Sequence, residues 1–268
     1  MKLLKKPKKS LGQNFLIDKN IIKKIIKIGN INKKNTILEI GAGYGSLTKE
    51  ILEKKPKKIF AIEKDTKLSI SLENDLKNFK NIKIINDDIF NIIKGKKLGT
   101  NVIVFGNLPY NISTQILAKL ILTKSWPPWY KTLILMFQKE VADRITAKTK
   151  SKKFGRLSVL SNWRLEIKKH FDISKNCFFP KPNVDSSILS FSPKIKNIYN
   201  IKNPKNLEIV TRMLFSNRRK MINKNFKKLF KFNNSIAEDL GLNLKQRPEE
   251  LDCDMFYKIA MIYEKLAD

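Results

Sequence analysis

The chain has 268 residues, of which 42% are hydrophobic and 9% aromatic, a composition that is typical of a globular protein and excludes a disordered one. It carries 55 Lys and Arg against 24 Asp and Glu, and this net charge of +31 favours a polyanionic partner, above all a nucleic acid. Two cysteines, one histidine and no long apolar run argue against a disulfide framework, a metal site and a membrane span, and predict a cytoplasmic protein.

The first part of the chain alternates between apolar runs and segments with helical spacing. Residues 1–7 come first and lack the apolar core of a signal peptide. The predicted strands are 36–40, 58–62, 82–85, 102–105 and 132–137. The predicted helices are 46–54, 66–78, 113–122 and 138–149. This alternation predicts an α/β fold with a doubly wound parallel sheet, which binds ligands at the carboxyl ends of its strands.

The alternation ends after Arg156. A helix is predicted over 157–164, and strands over 166–173 and 186–191 are expected to close the sheet as an antiparallel pair. A linker over 193–204 is followed only by helical patterns with basic faces. We therefore expect an α/β domain over residues 1–195 and a small all-α domain over 196–268.

A glycine-rich turn follows the first predicted strand. Gly41, Gly43 and Gly45 follow Glu39 in the order Glu-x-Gly-x-Gly-x-Gly, and glycines here let the backbone approach a ligand closely. A dinucleotide-binding turn would place its third glycine where Ser46 stands, which disfavours a nicotinamide dehydrogenase. The form with an acidic residue two positions before the first glycine is typical of S-adenosylmethionine enzymes.

The next two strands end on carboxylates. Glu63 ends the second predicted strand, where a carboxylate can bind ribose hydroxyls, and Asp88 follows the third, where a carboxylate can accept from an adenine amine. Since parallel strands end at one edge of a sheet, these groups and the glycine turn predict a nucleoside-type cofactor site.

The fourth strand ends on the sequence Asn107-Leu108-Pro109-Tyr110. The amide oxygen of Asn107 and the carbonyl of Leu108 can accept the two N–H groups of an exocyclic amine, and Pro109 restricts the backbone that carries them. Tyr110 can stack on the base. Two acceptors in the plane of the base favour a more tetrahedral nitrogen, whose lone pair is then free to attack.

The segment Phe105–Ser113 resembles the Asn-Leu-Pro-Tyr motif of S-adenosylmethionine-dependent adenine-N6 methyltransferases. With its flanking residues it is most similar to the small-subunit (16S) ribosomal RNA adenine N6,N6-dimethyltransferases. The similarity extends in the expected order to 9–16, to the Phe-x-Pro-x-Pro-x-Val-x-Ser sequence of 178–186 and to 216–220 and 247–251, so that it covers residues 9–260.

The resemblance implies a cofactor, a substrate and further site residues. The cofactor is S-adenosylmethionine, bound also by Asn14, Leu16 and Asn107. Phe178 provides the second stacking face for the base, opposite Tyr110. The implied substrate is two adjacent adenines in a hairpin loop near the 3′ end of small-subunit rRNA, modified during ribosome assembly. The basic sequence 218–220 (Arg218, Arg219, Lys220) would hold the RNA backbone. We expect a monomer.

Two other functions remain open at this point. Large-subunit rRNA adenine methyltransferases that confer macrolide resistance share much of the motif set but typically read Asn-Ile-Pro-Tyr, so Leu108 favours the small-subunit enzyme. A non-catalytic RNA-binding assembly factor could keep the same fold. The presence of Asn107, Tyr110, Glu63 and Asp88 argues against it.

Overall fold

The computed structural model describes residues 12–95, 98–195, 199–231, 233 and 235–267. Residues 1–11 lie outside the described residues. The predicted lack of a signal peptide and the start of the N-terminal resemblance both fall in this segment. The chain forms two compact units. The first comprises Met1–Lys119, Pro127–Ala142 and Ile167–Pro193, and the second comprises Leu120–Trp126, Asp143–Glu166 and Lys194–Asp268.

A mixed sheet forms the centre of the first unit. The strands of the described residues are β1 (Phe15–Leu16), β2 (Thr36–Ile40), β3 (Lys58–Glu63), β4 (Ile82–Asn86), β5 (Val102–Asn107), β6 (Tyr130–Gln138), β7 (Leu165–Ile173), β8 (Phe178–Phe179) and β9 (Ser186–Pro193). Seven of them pair in the order β4-β3-β2-β5-β6-β9-β7, while β1 and β8 form a separate antiparallel ribbon. Strands β4, β3, β2, β5 and β6 run parallel to one another, as the sequence predicts, and β9 runs antiparallel to β6.

The order of the strands determines where a ligand can bind. The sheet is wound outward in both directions from β2 and β5, which pair in parallel with Ile40 opposite Gly106. A crevice forms at the carboxyl ends of such a central pair because the connections on its two sides run to opposite faces of the sheet. The glycine turn directly follows β2, and Asn107 is the last residue of β5.

Helices alternate with these strands. They are α1 (Lys19–Ile28), α2 (Ser46–Glu53), α3 (Thr66–Leu76), α4 (Ile89–Gly95), α5 (Ser113–Ile121), α6 (Lys139–Ile145) and α7 (Arg156–Arg164). Aspartates cap two of them: Oδ1 of Asp18 accepts from the backbone N–H groups at the start of α1, and Asp65 caps α3 in the same way. Helix α6 ends at Ile145, before the predicted 149, because 146–149 bring no further large apolar residue to its buried face.

Within the second unit, the described elements after β9 are helical. They are α8 (Pro204–Leu214), α9 (Asn223–Leu229), α10 (Ser235–Asp239) and α11 (Cys253–Ala267), joined by short 3₁₀ turns. Glu264 of α11 accepts hydrogen bonds from the backbone N–H groups of Lys202 and Asn203 and so fixes the start of α8. The unit also contains 143–166, which the predicted boundary at 195 assigns to the other domain; that boundary remains a prediction. Over the described residues, no helix has both the length and the apolarity that a membrane span requires.

Candidate active site

A cavity opens at the carboxyl ends of β2, β3, β4 and β5 in the first unit. The predicted site residues that line it are Asn14, Gly41, Gly43, Glu63, Asp88, Asn107, Leu108, Pro109 and Tyr110. Phe15 and Lys64 line it as well. The structure thus brings the predicted cofactor residues and the predicted target residues to one cavity.

The glycine turn forms one wall of this cavity. Gly41 and Gly43 have φ values of +75° and +55°, a conformation that side chains disfavour. The N–H groups of Gly41 and Ala42 donate to the carbonyl of Ile62 at 2.9 and 3.1 Å, which holds the turn against β3. A Cβ atom at Gly43 would lie 2.9 Å from the Phe15 ring, so there is no room for a side chain between the turn and the N-terminal segment.

Glu63 is fixed beside the turn. Its Oε2 accepts from the N–H of Gly43 at 2.8 Å, and its Oε1 accepts from the N–H of Asp65 at 2.8 Å. Burial raises the pKa of Glu63, although these backbone hydrogen bonds oppose the shift. Each carboxylate oxygen retains a further lone pair, so the group can still accept hydrogen bonds from two neighbouring hydroxyls.

Asp88 lies at the adjacent strand end. Its Oδ2 accepts from Lys64 Nζ at 2.8 Å and its Oδ1 accepts from the N–H of Phe90 at 2.9 Å. Partial burial acts to raise the pKa of Asp88, but the hydrogen bonds from Lys64 and Phe90 outweigh it and the net shift is downward. Asp88 is therefore an ionised acceptor at the cavity, and Lys64 is its charged partner.

Glu39 lies beneath the glycine turn and is 1% exposed. The Thr48 hydroxyl donates to its Oε2 at 2.6 Å. Burial raises the pKa of Glu39 to about 8, against the Thr48 hydrogen bond and reinforced by the charge of Glu63. This buried carboxyl joins β2 to α2, the two elements that hold the turn.

These groups fit S-adenosylmethionine. The glycine turn leaves backbone exposed to the cavity, Glu63 can accept from two ribose hydroxyls, and Asp88 can accept from the adenine amine. The described residues contain no group of three or more His, Cys, Asp or Glu side chains that could hold a metal ion.

Asn107 lies between the cofactor groups and the predicted target site. Its Nδ2 donates to the backbone carbonyl of Asn14 at 2.8 Å, a contact between residues 93 positions apart. With the amide nitrogen bound in this way, Oδ1 is left as the acceptor, and no described residue donates to it. The N-terminal segment therefore sets which atom of Asn107 is available to a substrate.

Tyr110 is anchored at its far end. Its hydroxyl shares a hydrogen bond of 2.6 Å with the hydroxyl of Ser186, the first residue of β9. Burial raises the pKa of Tyr110, so the phenol stays protonated at neutral pH. The ring itself lines the cavity.

The ribbon of β1 and β8 carries the remaining two residues assigned by resemblance. Leu16 lies opposite Phe178, and both belong to the hydrophobic core at 2% and 3% exposure. Phe15 lies opposite Phe179, which is 41% exposed. Neither Leu16 nor Phe178 is among the residues that line the cavity, so their predicted roles stay predictions.

The basic sequence predicted to hold RNA lies in the second unit. Arg218 is half-buried: its Nε donates to Oε2 of Glu249 at 2.7 Å, and its guanidinium also donates to the carbonyl of Lys152. Arg219 and Lys220 are exposed. The structure therefore separates one arginine that binds its own unit from two cations that face solvent.

Lys64, Phe15 and Ser186 are among the residues at the site to which the sequence assigned no role. Lys64 directly follows Glu63, and Phe15 lies inside the resembling segment, so both were adjacent to recognised residues. Ser186 closes the proline-rich sequence, but no local pattern indicates that it contacts Tyr110.

Comparison with known proteins agrees with this geometry. The family model described as "Ribosomal RNA adenine dimethylase" matches residues 4–265. A curated relative from Pelagibacter ubique, named ribosomal RNA small subunit methyltransferase A, is 49% identical over 261 residues, which cover 97% of this chain and 98% of the relative.

Solved structures of methyltransferases share the fold. A dimethyladenosine transferase from Plasmodium falciparum superposes with a TM-score of 0.76 and 26% identity over 94% of this chain and 98% of its own. The 23S rRNA methyltransferase ErmE superposes with a TM-score of 0.68 and 20% identity over 95% of this chain and all of its own. These matches confirm the predicted α/β fold with a doubly wound sheet and identify it as the class I methyltransferase fold. Because one family model matches nearly the whole chain, the protein belongs to the ribosomal RNA adenine dimethylase family and uses S-adenosylmethionine as its methyl donor.

Proposed function

We propose that this protein transfers methyl groups from S-adenosylmethionine to N6 of two adjacent adenosines in a hairpin loop near the 3′ end of small-subunit rRNA, giving N6,N6-dimethyladenosine during ribosome assembly. Methylation of rRNA adenines itself follows from membership of the family. The name of the Pelagibacter relative supports the small subunit, and that of the Plasmodium structure supports dimethylation.

The observation that carries the proposal is the arrangement of Asn107. Its Oδ1 is left free by the contact of Nδ2 with Asn14, and the residue lies at the cavity together with the cofactor groups. Asn107 Oδ1 and the Leu108 carbonyl accept the two N–H groups of adenine N6 and so hold the lone pair towards the methyl donor. S-adenosylmethionine supplies an electrophilic methyl group, so the protein needs chiefly to orient the amine.

No general base is required before transfer. The nitrogen becomes acidic only when it has gained a methyl group, and it can then lose its proton to solvent. Carboxylates at the cavity have other roles: Glu63 binds backbone N–H groups of the turn, and Asp88 pairs with Lys64.

The target base leaves its stack to enter the site, and Tyr110 offers it an aromatic face. A stacked base gains roughly 1–3 kcal/mol, which offsets part of the cost of leaving the RNA stack. We assign the opposite face to Phe178 on the resemblance alone. Phe178 is 3% exposed, so a base could contact its ring only after the ribbon of β1 and β8 moves aside.

The second unit supplies cations for the RNA. Arg219 and Lys220 are exposed and would bind phosphates, whereas Arg218 already pairs with Glu249. We propose a monomeric, cytoplasmic enzyme whose affinity for RNA falls steeply with salt.

Methyl transfer to ribosomal subunits tests the proposal. Radiolabelled S-adenosylmethionine is incubated with small subunits that lack the modification and with free large-subunit rRNA, and the rRNA is then digested for nucleoside mass spectrometry. We expect N6,N6-dimethyladenosine in the small-subunit rRNA alone, and none with Asn107→Ala. Label in large-subunit rRNA only would support the macrolide-resistance type, and bound cofactor without any transfer would support a non-catalytic assembly factor.

A further inference from the structure

Tyr110 and Ser186 form a contact that the activity described so far does not use. Their hydroxyls lie 2.6 Å apart and join the loop after β5 to the start of β9, 76 residues further along the chain. Ser186 is completely buried and pairs with Gln138 of β6, so its position is fixed by the sheet. The serine is therefore a rigid anchor for the tyrosine hydroxyl.

The backbone of Tyr110 is held as firmly as its hydroxyl. The Pro109 carbonyl accepts from the N–H groups of Ile112 and Ser113 at 3.1 and 3.0 Å. The Ser113 hydroxyl donates to the Tyr110 carbonyl at 3.2 Å. The phenol oxygen lies on the axis about which the second side-chain bond rotates, so fixing the backbone and the hydroxyl together fixes the first side-chain torsion and the direction of the long axis of the ring.

We propose that Ser186 is a positioning residue, which holds the long axis of the Tyr110 ring at the place in the cavity where the ring stacks on the target adenine. The inference rests on the proposed function, because it needs a base that enters the cavity. Placement of the acceptor nitrogen strongly affects the rate of transfer, and the position of the stacked ring sets the position of the base relative to Asn107 and Leu108. Ser186 touches neither the base nor the cofactor and acts only through Tyr110.

The neighbouring Ser187 provides a matched control. It is also completely buried, and its hydroxyl donates to Oδ1 of Asp172 at 2.6 Å. Successive residues of a strand point to opposite faces, so Ser187 directs its hydroxyl away from Tyr110. Ser187→Ala removes a buried hydroxyl from the same strand without affecting the ring.

A double-mutant cycle tests the proposal. Single-turnover methyl transfer to unmodified small subunits is measured for Ser186→Ala, Tyr110→Phe, the double variant and Ser187→Ala. Loss of one hydrogen bond predicts a rate about 3- to 10-fold lower for Ser186→Ala and for Tyr110→Phe, and the same rate again for the double variant. Ser187→Ala keeps the wild-type rate, and all four bind S-adenosylmethionine as the wild type does.

Three outcomes would overturn the positioning role. The first is a double variant that transfers methyl groups more slowly than Tyr110→Phe alone. The second is a Ser186→Ala variant that is no slower than Ser187→Ala. The third is a Tyr110→Phe variant that transfers at the wild-type rate. Tyr110→Phe keeps the strand intact, so it decides the matter even where Ser186→Ala fails to fold. A wild-type protein that transfers no methyl group would overturn the proposed function, and the positioning role with it. In that case the free energies of unfolding of the same variants, measured in denaturant, would still show whether Ser186 and Tyr110 interact.

Discussion

The two sides of the cavity are built in different ways. On the cofactor side, which comprises Gly41, Gly43, Glu63 and Asp88, each group is held by neighbours on the adjacent strand end; the Glu63–Gly43 contact spans 20 residues and the Glu63–Asp65 contact spans 2. On the target side, which comprises Asn107 to Tyr110 with Ser186, the decisive contacts span 93 and 76 residues. The cofactor side is thus a product of the sheet itself, whereas the target side depends on distant segments that fold onto it.

This difference predicts that the two sides fail separately. Damage to the cofactor side should weaken cofactor binding and spare the transfer step at saturation. Damage to the target side should slow transfer and leave cofactor binding intact.

The largest effect is expected for Asn107→Ala. It removes the acceptor that orients N6, and removal of one preorganised polar contact slows catalysis by roughly 10²–10³-fold. The measurement is single-turnover methyl transfer, with calorimetry as a check that cofactor affinity is unchanged. Turnover at the wild-type rate would refute the role of Asn107.

Variants of Phe178 distinguish its packing in the hydrophobic core from its proposed stacking on the target base. Phe178→Ala should lower the free energy of unfolding by about 3–5 kcal/mol because it removes a buried ring, whereas Phe179→Ala at an exposed site should cost less than about 1 kcal/mol. Denaturant unfolding measures both. Phe178→Leu keeps most of the apolar volume, so a Leu variant that is stable but slow in transfer would support stacking. A stable variant that is fully active would contradict it.

Glu63→Ala tests the cofactor side. Loss of a carboxylate that binds two ribose hydroxyls should weaken S-adenosylmethionine binding by roughly 10- to 100-fold, as expected for hydrogen bonds to a charged group. Calorimetry measures the affinity, and Glu53→Ala, which removes an exposed carboxylate from α2, serves as the control. Equal affinities for the two variants would count against the assignment of Glu63.

The last prediction concerns stability rather than activity and rests on Glu39. Its pKa in the folded protein is about 8, above the ordinary value of 4.5, so the folded state binds the proton more tightly than the unfolded state. The free energy of unfolding should therefore decrease as pH rises from about 4.5 to 8, by at most about 1.4 kcal/mol per pH unit from this group. Glu39→Gln should remove this contribution, so that the variant gains stability over the wild type towards pH 8. Parallel pH profiles of the two proteins would show that Glu39 is not the group responsible.

The position of the cofactor-side residues could be predicted from the sequence because the signals are local. Gly41, Glu63 and Asp88 lie at or just after the ends of apolar strands, and parallel strands must end at one edge, so adjacency in the sheet could be inferred without coordinates. The sequence also predicted Asn107 and Tyr110, through the motif that ends β5.

The contacts of the target side could not be predicted in the same way. No periodicity relates Asn14 to Asn107 or Ser186 to Tyr110, because such contacts arise from the path of the chain across the sheet. The ribbon of β1 and β8 has two residues per strand, too few for an alternation to be visible, and it decides that Phe178 points into the core. Helix α4 is only seven residues long, which is too short for a helical periodicity to be visible in the sequence.

The most direct test of the two-sided site is the transfer rate of Glu63→Ala and Asn107→Ala at increasing concentrations of S-adenosylmethionine. We expect Glu63→Ala to regain the wild-type single-turnover rate at saturating cofactor, and Asn107→Ala to stay slow at every concentration despite normal binding. A Glu63→Ala variant that remains slow at saturation, or an Asn107→Ala variant that binds the cofactor weakly, would contradict the division of the cavity into separate cofactor and target sides.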